Sequence, residues 1–326
     1  LIPYLEEAGI STETIAVPDL KDSFNENYDK FTFASRVLYS VTRNDIVYLQ
    51  KALLPTWFTK LLSTVSSTFV YDFDDAIYRS APGKSIDERK VRRLKTTIKQ
   101  SDLTITGSRN LSEYAQQYTD KVECLHTGIP RREYAKHRKS DISDPKSVLF
   151  GWIGNPENLY YLNDIEEQFD QILEEHDDAK LRIITGKDKP VCPLEDRRGE
   201  DVEYVEWSLE SALSDLADTD VGVRPLRNNE WTRSKGGFTS VIECLALGIP
   251  VVASPVGLMK YLIEDGKNGY LADEADEWVE VLSMIAAEPE RITPMRGRSI
   301  DSVTKYEFWT ENTADGLIKI LQNIRN

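Results

Sequence analysis

Short apolar runs recur along the chain, separated by stretches of mixed polarity, and this alternation happens in two series. In the first half, NDIVYLQ, STFVYDF, SDLTITGS and DKVECLHTG read as strands, with helical periodicity between them over 87–99 and 109–118. Alternation of this kind predicts parallel strands joined by crossover helices. The segment 131–146 is charged, carries Pro145, follows Pro130, and lacks a helical apolar period over its second half, so it reads as a linker. The series then restarts with strands at SVLFGWIG, KLRIITG, DVEYVEW, DVGVRPL, IPVVASP and a short one at GYLA. Helices are expected over 156–175, 209–217, 237–247, 258–264 and 275–287, and a last one over 308–324 after a polar stretch at 291–305. Continuous apolar runs such as PVVAS suit strands covered on both faces, which is how parallel sheets are buried. No repeat, low-complexity tract or heptad pattern interrupts the series.

The opening LIPYLEEAGI reads as the end of a helix stopped by Gly9, which suggests that a first strand and turn lie before residue 1. The chain has 326 residues, a length that fits about two domains, and 40% apolar residues, enough for ordinary cores. No run reaches the roughly 18 apolar residues of a membrane span, and no signal peptide is read at the start. The three cysteines, Cys124, Cys192 and Cys244, are scattered and odd in number, which fits a reducing cytoplasm and spells out no zinc site. A net charge of −15 argues against nucleic acid as the main partner, since phosphate binding needs a basic face. Local basic clusters remain, with Lys90, Arg92, Arg93, Lys95 and Lys99 on one predicted helix, and Arg131, Arg132, Lys136, Arg138 and Lys139 further on.

The richest chemistry lies in WTRSKGGFTSVIECLALGIPVVASP, residues 231–255. Glu243 sits among apolar neighbours on a predicted helix, and burying a carboxylate is costly unless donors or cations compensate. It is either an acceptor for ligand hydroxyls, a ribose diol being a natural bidentate partner, or a Glu on the one solvated face of a buried helix. Upstream, Arg233 and Lys235 with Gly236 and Gly237 make a candidate diphosphate site at the helix start. The alternative there is an ordinary polar loop capped by glycine. Arg224, ending DVGVRPL, is either a donor contact or a salt-bridge residue. The acidic run Asp72-Phe73-Asp74-Asp75 ends a strand of the first half. Those carboxylates could bind a divalent cation, contact acceptor hydroxyls or cap the following segment. His126 is a minor candidate near the linker.

The run GGFTSVIECLALGIPVVASPVG, followed by LIEDGKNGYLA, resembles the donor-binding region of family 4 (group 1) retaining glycosyltransferases, which adopt the GT-B fold. That family carries two glutamates separated by seven residues; Glu243 matches the second, whereas Lys235 stands where the first would be. Gly248-Ile249-Pro250 and the turn Asp265–Gly269 also match. VLFGWIGNPENLYYL resembles the strand and loop that open the donor domain, with Gly151, Gly154 and Asn155 bringing backbone near the ligand, but without the Arg and Lys that many relatives carry there. The resemblance implies an α/β, GT-B fold of two doubly wound Rossmann-like lobes facing a central cleft. The expected organisation is an acceptor-side lobe over 1–130, a linker over 131–146, a nucleotide-sugar lobe over 147–305 and a C-terminal crossover helix over 306–326. The implied activity is a retaining transfer from a nucleotide-diphosphate sugar to a glycan, lipid-linked or small-molecule acceptor, with no essential metal or other cofactor. The rivals are an epimerase or hydrolase of the same fold, a non-catalytic partner subunit and a solute-binding protein. Arg233, Lys235, Asp74 and Asp75 are the candidate catalytic residues. Glu243, Gly236, Gly237, Phe238, Thr239, Gly154, Asn155 and Arg224 are the candidate donor contacts. The implied location is the cytoplasm, with peripheral association at the inner face of the membrane left open.

Overall fold

A computed structural model describes residues 1–17, 26–78, 86–138, 146–188, 192–194, 198–233 and 238–325. The chain divides into two units, one formed by Leu1–Thr127 with Thr310–Asn326, the other by Gly128–Arg233 with Phe238–Trp309.

The first unit is built on four parallel strands in spatial order β1-β2-β3-β4: Ile46–Gln50, Thr68–Phe73, Leu103–Thr106 and Val122–Cys124. Its helices are α1 (Ile2–Glu7), α2 (Glu26–Val41), α3 (Thr56–Val65), α4 (Glu88–Gln100) and α5 (Arg109–Gln116). Alternation along β2 explains the two-sided cover. Tyr71 and Phe73 pack with Leu94, Ile98 and Leu111 of α4 and α5. Val70, on the opposite face, packs with Leu5 of α1 and with Leu317 and Leu321 of the C-terminal helix. The helix starts follow from local chemistry: the Asp87 carboxylate accepts from the amides of Arg89 and Lys90, and Ser108 Oγ from that of Leu111. Such caps satisfy amides that no helical carbonyl can reach.

The second unit carries six parallel strands in order β10-β9-β8-β5-β6-β7. They are β5 (Val148–Ile153), β6 (Ala179–Thr185), β7 (Val202–Glu206), β8 (Val221–Arg224), β9 (Val251–Ala253) and β10 (Gly269–Leu271). Every buried-run strand of the sequence reading is present. One face of the sheet packs against the helices Ala212–Ala217 and Thr239–Leu247, the other against Glu166–Glu175 and Ala275–Ala287.

Three boundaries differ from the sequence reading. The expected linker over 131–146 begins as a helix, α6 (Arg131–His137), that belongs to the second unit; its one buried anchor, Tyr134, is too little to set up an apolar period. Residues 139–145 lie outside the described residues. The polar stretch at 291–305 contains a helix, Thr293–Lys305, that buries Arg296, Ser299 and Ser302 beside Met295 and Val303. Arg296 is buried because its Nη2 meets the Asp220 carboxylate at 3.2 Å, with both side chains about 5% exposed or less. Finally, the crossover helix expected from 306 starts at Thr310, because Phe308 and Trp309 are buried in the second unit's core.

Candidate functional site

In the second sheet the winding reverses between β5 and β8: β6 and β7 extend one way from β5, while β8, β9 and β10 extend the other. Open α/β sheets bind ligands at the carboxyl ends of the strands flanking such a reversal. Arg224 is the last residue of β8, and Gly154 directly follows β5. A Cβ on Gly154 would lie 2.8 Å from a Trp152 ring carbon and 3.3 Å from Arg224 Nη1. The glycine thus makes room first for the Trp152 ring and then for the guanidinium.

Arg224 is buried, and among the described residues its one hydrogen bond is from Nη1 to the Ile153 carbonyl at 3.3 Å. Its Nε, the Trp152 Nε1 and the Ser240 Oγ are buried with no hydrogen-bond partner among the described residues. Burial pulls the guanidinium pKa down, while Cys244, Tyr161 and Glu243 nearby push it up. A buried cation this poorly satisfied is costly by itself and is well placed to receive an anion or acceptor group.

The helix Thr239–Leu247 follows β8 and supplies Glu243. Its first turn is set by Phe238, held in the left-handed region at φ 39°, and it ends at Gly248 at φ 79°, where only glycine is unstrained. Val241, Ile242, Cys244 and Leu245 are buried, so Glu243 is the carboxylate embedded in an apolar helix that the sequence suggests. It does not point into bulk solvent. Its Oε1 accepts from the Tyr134 hydroxyl on α6 at 2.9 Å. Burial pushes its pKa up, whereas the Tyr134 hydrogen bond and the Arg224 charge pull it down. The neighbouring Cys244 thiol is pushed up to about 12, chiefly by burial and then by the Glu243 charge. A carboxylate with one oxygen held and a buried guanidinium nearby offer a paired acceptor and cation, a combination suited to a ligand carrying hydroxyls beside a phosphate.

The remaining donor-side candidates are less well defined. Phe238 is buried, packs against Gly257, and can offer a ligand only backbone. Thr239, Asn155 and Arg233 are exposed, Arg233 at the end of the short helix Glu230–Arg233. Lys235, Gly236 and Gly237 lie outside the described residues. A cavity of about 230 Å³ is lined by Pro225, Leu226, Arg227, Ser254 and Asp164. It contains neither Arg224 nor Glu243, and Arg227 is bound there by Asp164 through Nε and Nη2.

In the first unit, the acidic run divides by position. Asp72 lies within β2, and its Oδ2 accepts from the Tyr48 hydroxyl at 2.8 Å and from Gln50 Nε2 at 3.1 Å. Burial pushes its carboxyl pKa up against those two bonds. Asp74 stands past the strand end, 2.6 Å from Lys51 Nζ, and also accepts from the Thr127 hydroxyl at 3.3 Å. Its Cβ would collide at 2.6 Å with any side chain at position 107, which is why Gly107 follows β3. Asp75 is exposed. The His126 Nδ1 is 3.1 Å from the Gly107 carbonyl, so this ring is a structural neighbour of Asp74. Two residues that the sequence reading does not single out thereby enter: Lys51, at φ 55° just beyond β1, and Tyr134. Lys51 shares its strand-end position with Asp74, a signal open to sequence reading. Tyr134 is one aromatic in a charged segment and gives almost none.

Comparison with known proteins finds a family match and a likeness of fold. The family described as Glycosyl transferases group 1 matches residues 146–287. A D-inositol 3-phosphate glycosyltransferase of Rhodococcus opacus (strain B4) is 30% identical over 80 residues, covering 24% of this chain and 18% of that protein. The chain spans less than half the length of the curated relatives it matches. Sucrose-phosphate synthase from Thermosynechococcus elongatus superposes with a TM-score of 0.70 at 16% identity, covering 95% of this chain and 80% of that one. Anabaena HepE in complex with UDP-glucose gives 0.70 at 14% identity, covering 98% and 88%. At these identities the likeness is one of fold, the two-sheet α/β architecture called GT-B.

Proposed function

Because residues 146–287 belong to the group 1 glycosyl transferases, we propose that the protein moves a sugar from a nucleotide-diphosphate sugar to an acceptor hydroxyl. The observation that carries this reading is the pairing of Glu243, held by Tyr134, with the under-satisfied Arg224 at the strand reversal. In this reading Glu243 accepts from the ribose diol, and Arg224 supplies positive charge beside the diphosphate, with Arg233 and Lys235 as further cations. As the bond from the anomeric carbon to the diphosphate oxygen breaks, negative charge grows on the leaving group. Fixed cations there stabilise the transition state more than the ground state. The acceptor oxygen forms the new bond to the anomeric carbon, and its proton leaves to the departing diphosphate or to solvent. Asp74 and Asp75 are the acceptor-side carboxylates. Retention of configuration and independence of a divalent metal come with the family resemblance and belong to the proposal.

UDP is the natural first probe, since HepE is described with UDP-glucose. Calorimetric titration of UDP into the intact protein should give binding that Glu243→Ala and Arg224→Met each weaken by about ten- to a hundredfold, the range of charge-assisted hydrogen bonds at roughly 1.5–3 kcal/mol. Undiminished affinity in both variants would remove the proposed site. Product analysis with UDP-sugars then separates transfer from epimerisation or hydrolysis, because only transfer needs an acceptor.

A further inference from the structure

Helix α3 turns an apolar stripe outward. Trp57, Leu61 and Val65 recur every fourth residue and are 66%, 36% and 41% exposed, while Phe58, Thr59 and Leu62 face inward. Helix α2, which packs on α3, also exposes Phe31, and Tyr39 beneath the Arg43 guanidinium. A four-residue spacing puts the α3 side chains in one row, and a solvated helix ordinarily fills that row with polar residues.

Beside it lies the opposite extreme. Helix α4 packs directly on α3, with Ser63 Oγ donating to Gln100 Oε1 at 3.0 Å. In 13 residues it carries Arg89, Lys90, Arg92, Arg93, Lys95 and Lys99 against a single carboxylate, Glu88. Arg93 is turned to the Leu53 carbonyl, and Lys95 and Lys99 sit over the Tyr118 ring at 5.4 and 5.9 Å. Arg89, Lys90 and Arg92 are exposed, and none is in a salt bridge among the described residues. A chain with 55 carboxylates and 40 Lys and Arg thus places six cations on the helix that packs against α3 and its exposed apolar row.

We propose that this α3–α4 face docks on an anionic lipid surface, independently of which reaction the second unit performs. Cations are drawn to the negative potential of such a surface, and exposed Trp and aliphatic groups partition into the headgroup boundary. The two features are separately weak and jointly selective: charge brings the face down, and the apolar row enters. A nucleic acid would use the cations but leave the Trp57–Val65 row in water. A second copy of this acidic chain would use both, and is distinguished by the test.

The test is flotation of the intact protein with phosphatidylcholine vesicles, with or without about 30% phosphatidylglycerol, at low and high salt. Binding is expected only to the anionic vesicles and should fall steeply with salt. Arg89→Gln with Arg92→Gln should weaken it about 25-fold, at about fivefold per cation. Trp57→Ser should weaken it on both arms of a salt titration, because the apolar contribution is not screened. Each variant is checked for an unchanged melting midpoint, which these exposed positions should give. Equal retention on neutral vesicles, no retention on either kind, or self-association in vesicle-free solution that Trp57→Ser abolishes would each overturn the proposal.

Discussion

Glu243 is held under tension between two demands. Its burial favours the neutral acid, while the Tyr134 hydroxyl and the Arg224 charge favour the carboxylate, and burial prevails. The folded-state pKa is therefore above the unfolded one, so the native state binds the proton more tightly. Stability on this account is greatest at pH below the ordinary carboxylate range and is lost as pH rises through the elevated pKa. Glu243→Gln removes the ionisation and keeps an oxygen to accept from Tyr134. It should melt higher than the parent protein at pH 8, with the gap closing toward pH 4 in a scanning calorimetry series. The same variant should bind UDP poorly. A residue whose replacement stabilises the fold and weakens the ligand is there for the ligand, and a lower midpoint at pH 8 would instead make Glu243 a structural acid.

At the scale of elements, the short helix Arg131–His137 matters out of proportion to its length, because its one buried side chain reaches the Glu243 carboxylate. Tyr134→Phe keeps the ring in its pocket and removes the hydroxyl, freeing the carboxylate to turn. A hydrogen bond to a charged group is worth roughly 1.5–3 kcal/mol, so UDP affinity should drop about tenfold or more. Affinity for 2′-deoxy-UDP should barely change, since that ligand lacks a hydroxyl the held carboxylate would meet. Equal losses for both nucleotides would mean the tyrosine merely supports the fold.

This helix also marks where sequence reading stops. Strands such as Val148–Ile153 and Val251–Ala253 were legible because burial on both faces forces continuous apolar runs. Glu243 was legible because a carboxylate among Ile242, Cys244 and Leu245 contradicts its surroundings. The helix Thr293–Lys305 was not, since its buried positions hold Arg296, Ser299 and Ser302: Arg296 meets Asp220 far away in sequence, and the two serine hydroxyls donate to carbonyls of their own helix, Ser299 also to Asn268. The left-handed Phe238 was equally hidden, because backbone torsion leaves no mark when the residue is not glycine. For Lys51 and Asp74 the strand-end positions were legible but their meeting was not, since it depends on the strand pairing that sets Gln50 beside Asp72.

Over the whole molecule, charge is arranged at three levels of exposure. The chain is acidic overall, one helix carries six cations against a single carboxylate, and a few charges are drawn inside, some matched in pairs and Arg224 nearly alone. Asp220 and Arg296 are the most buried such pair, and Asp220 also accepts from the Leu149 amide at 3.0 Å, tying the start of β5 to a helix far along the chain. Removing one member of a buried ion pair leaves the other stranded at a cost of about 3–5 kcal/mol, whereas replacing both is close to neutral. Arg296→Met should lower the urea midpoint sharply, and Asp220→Asn added to it should restore most of the loss, the asparagine oxygen still serving Leu149. Typical stabilities are roughly 5–15 kcal/mol, so either single change would remove a large share of the total. Descendants of this chain are accordingly expected to keep Asp220 and Arg296 together or to lose them together, and a homologue holding just one of the two will have rebuilt the surroundings of the survivor.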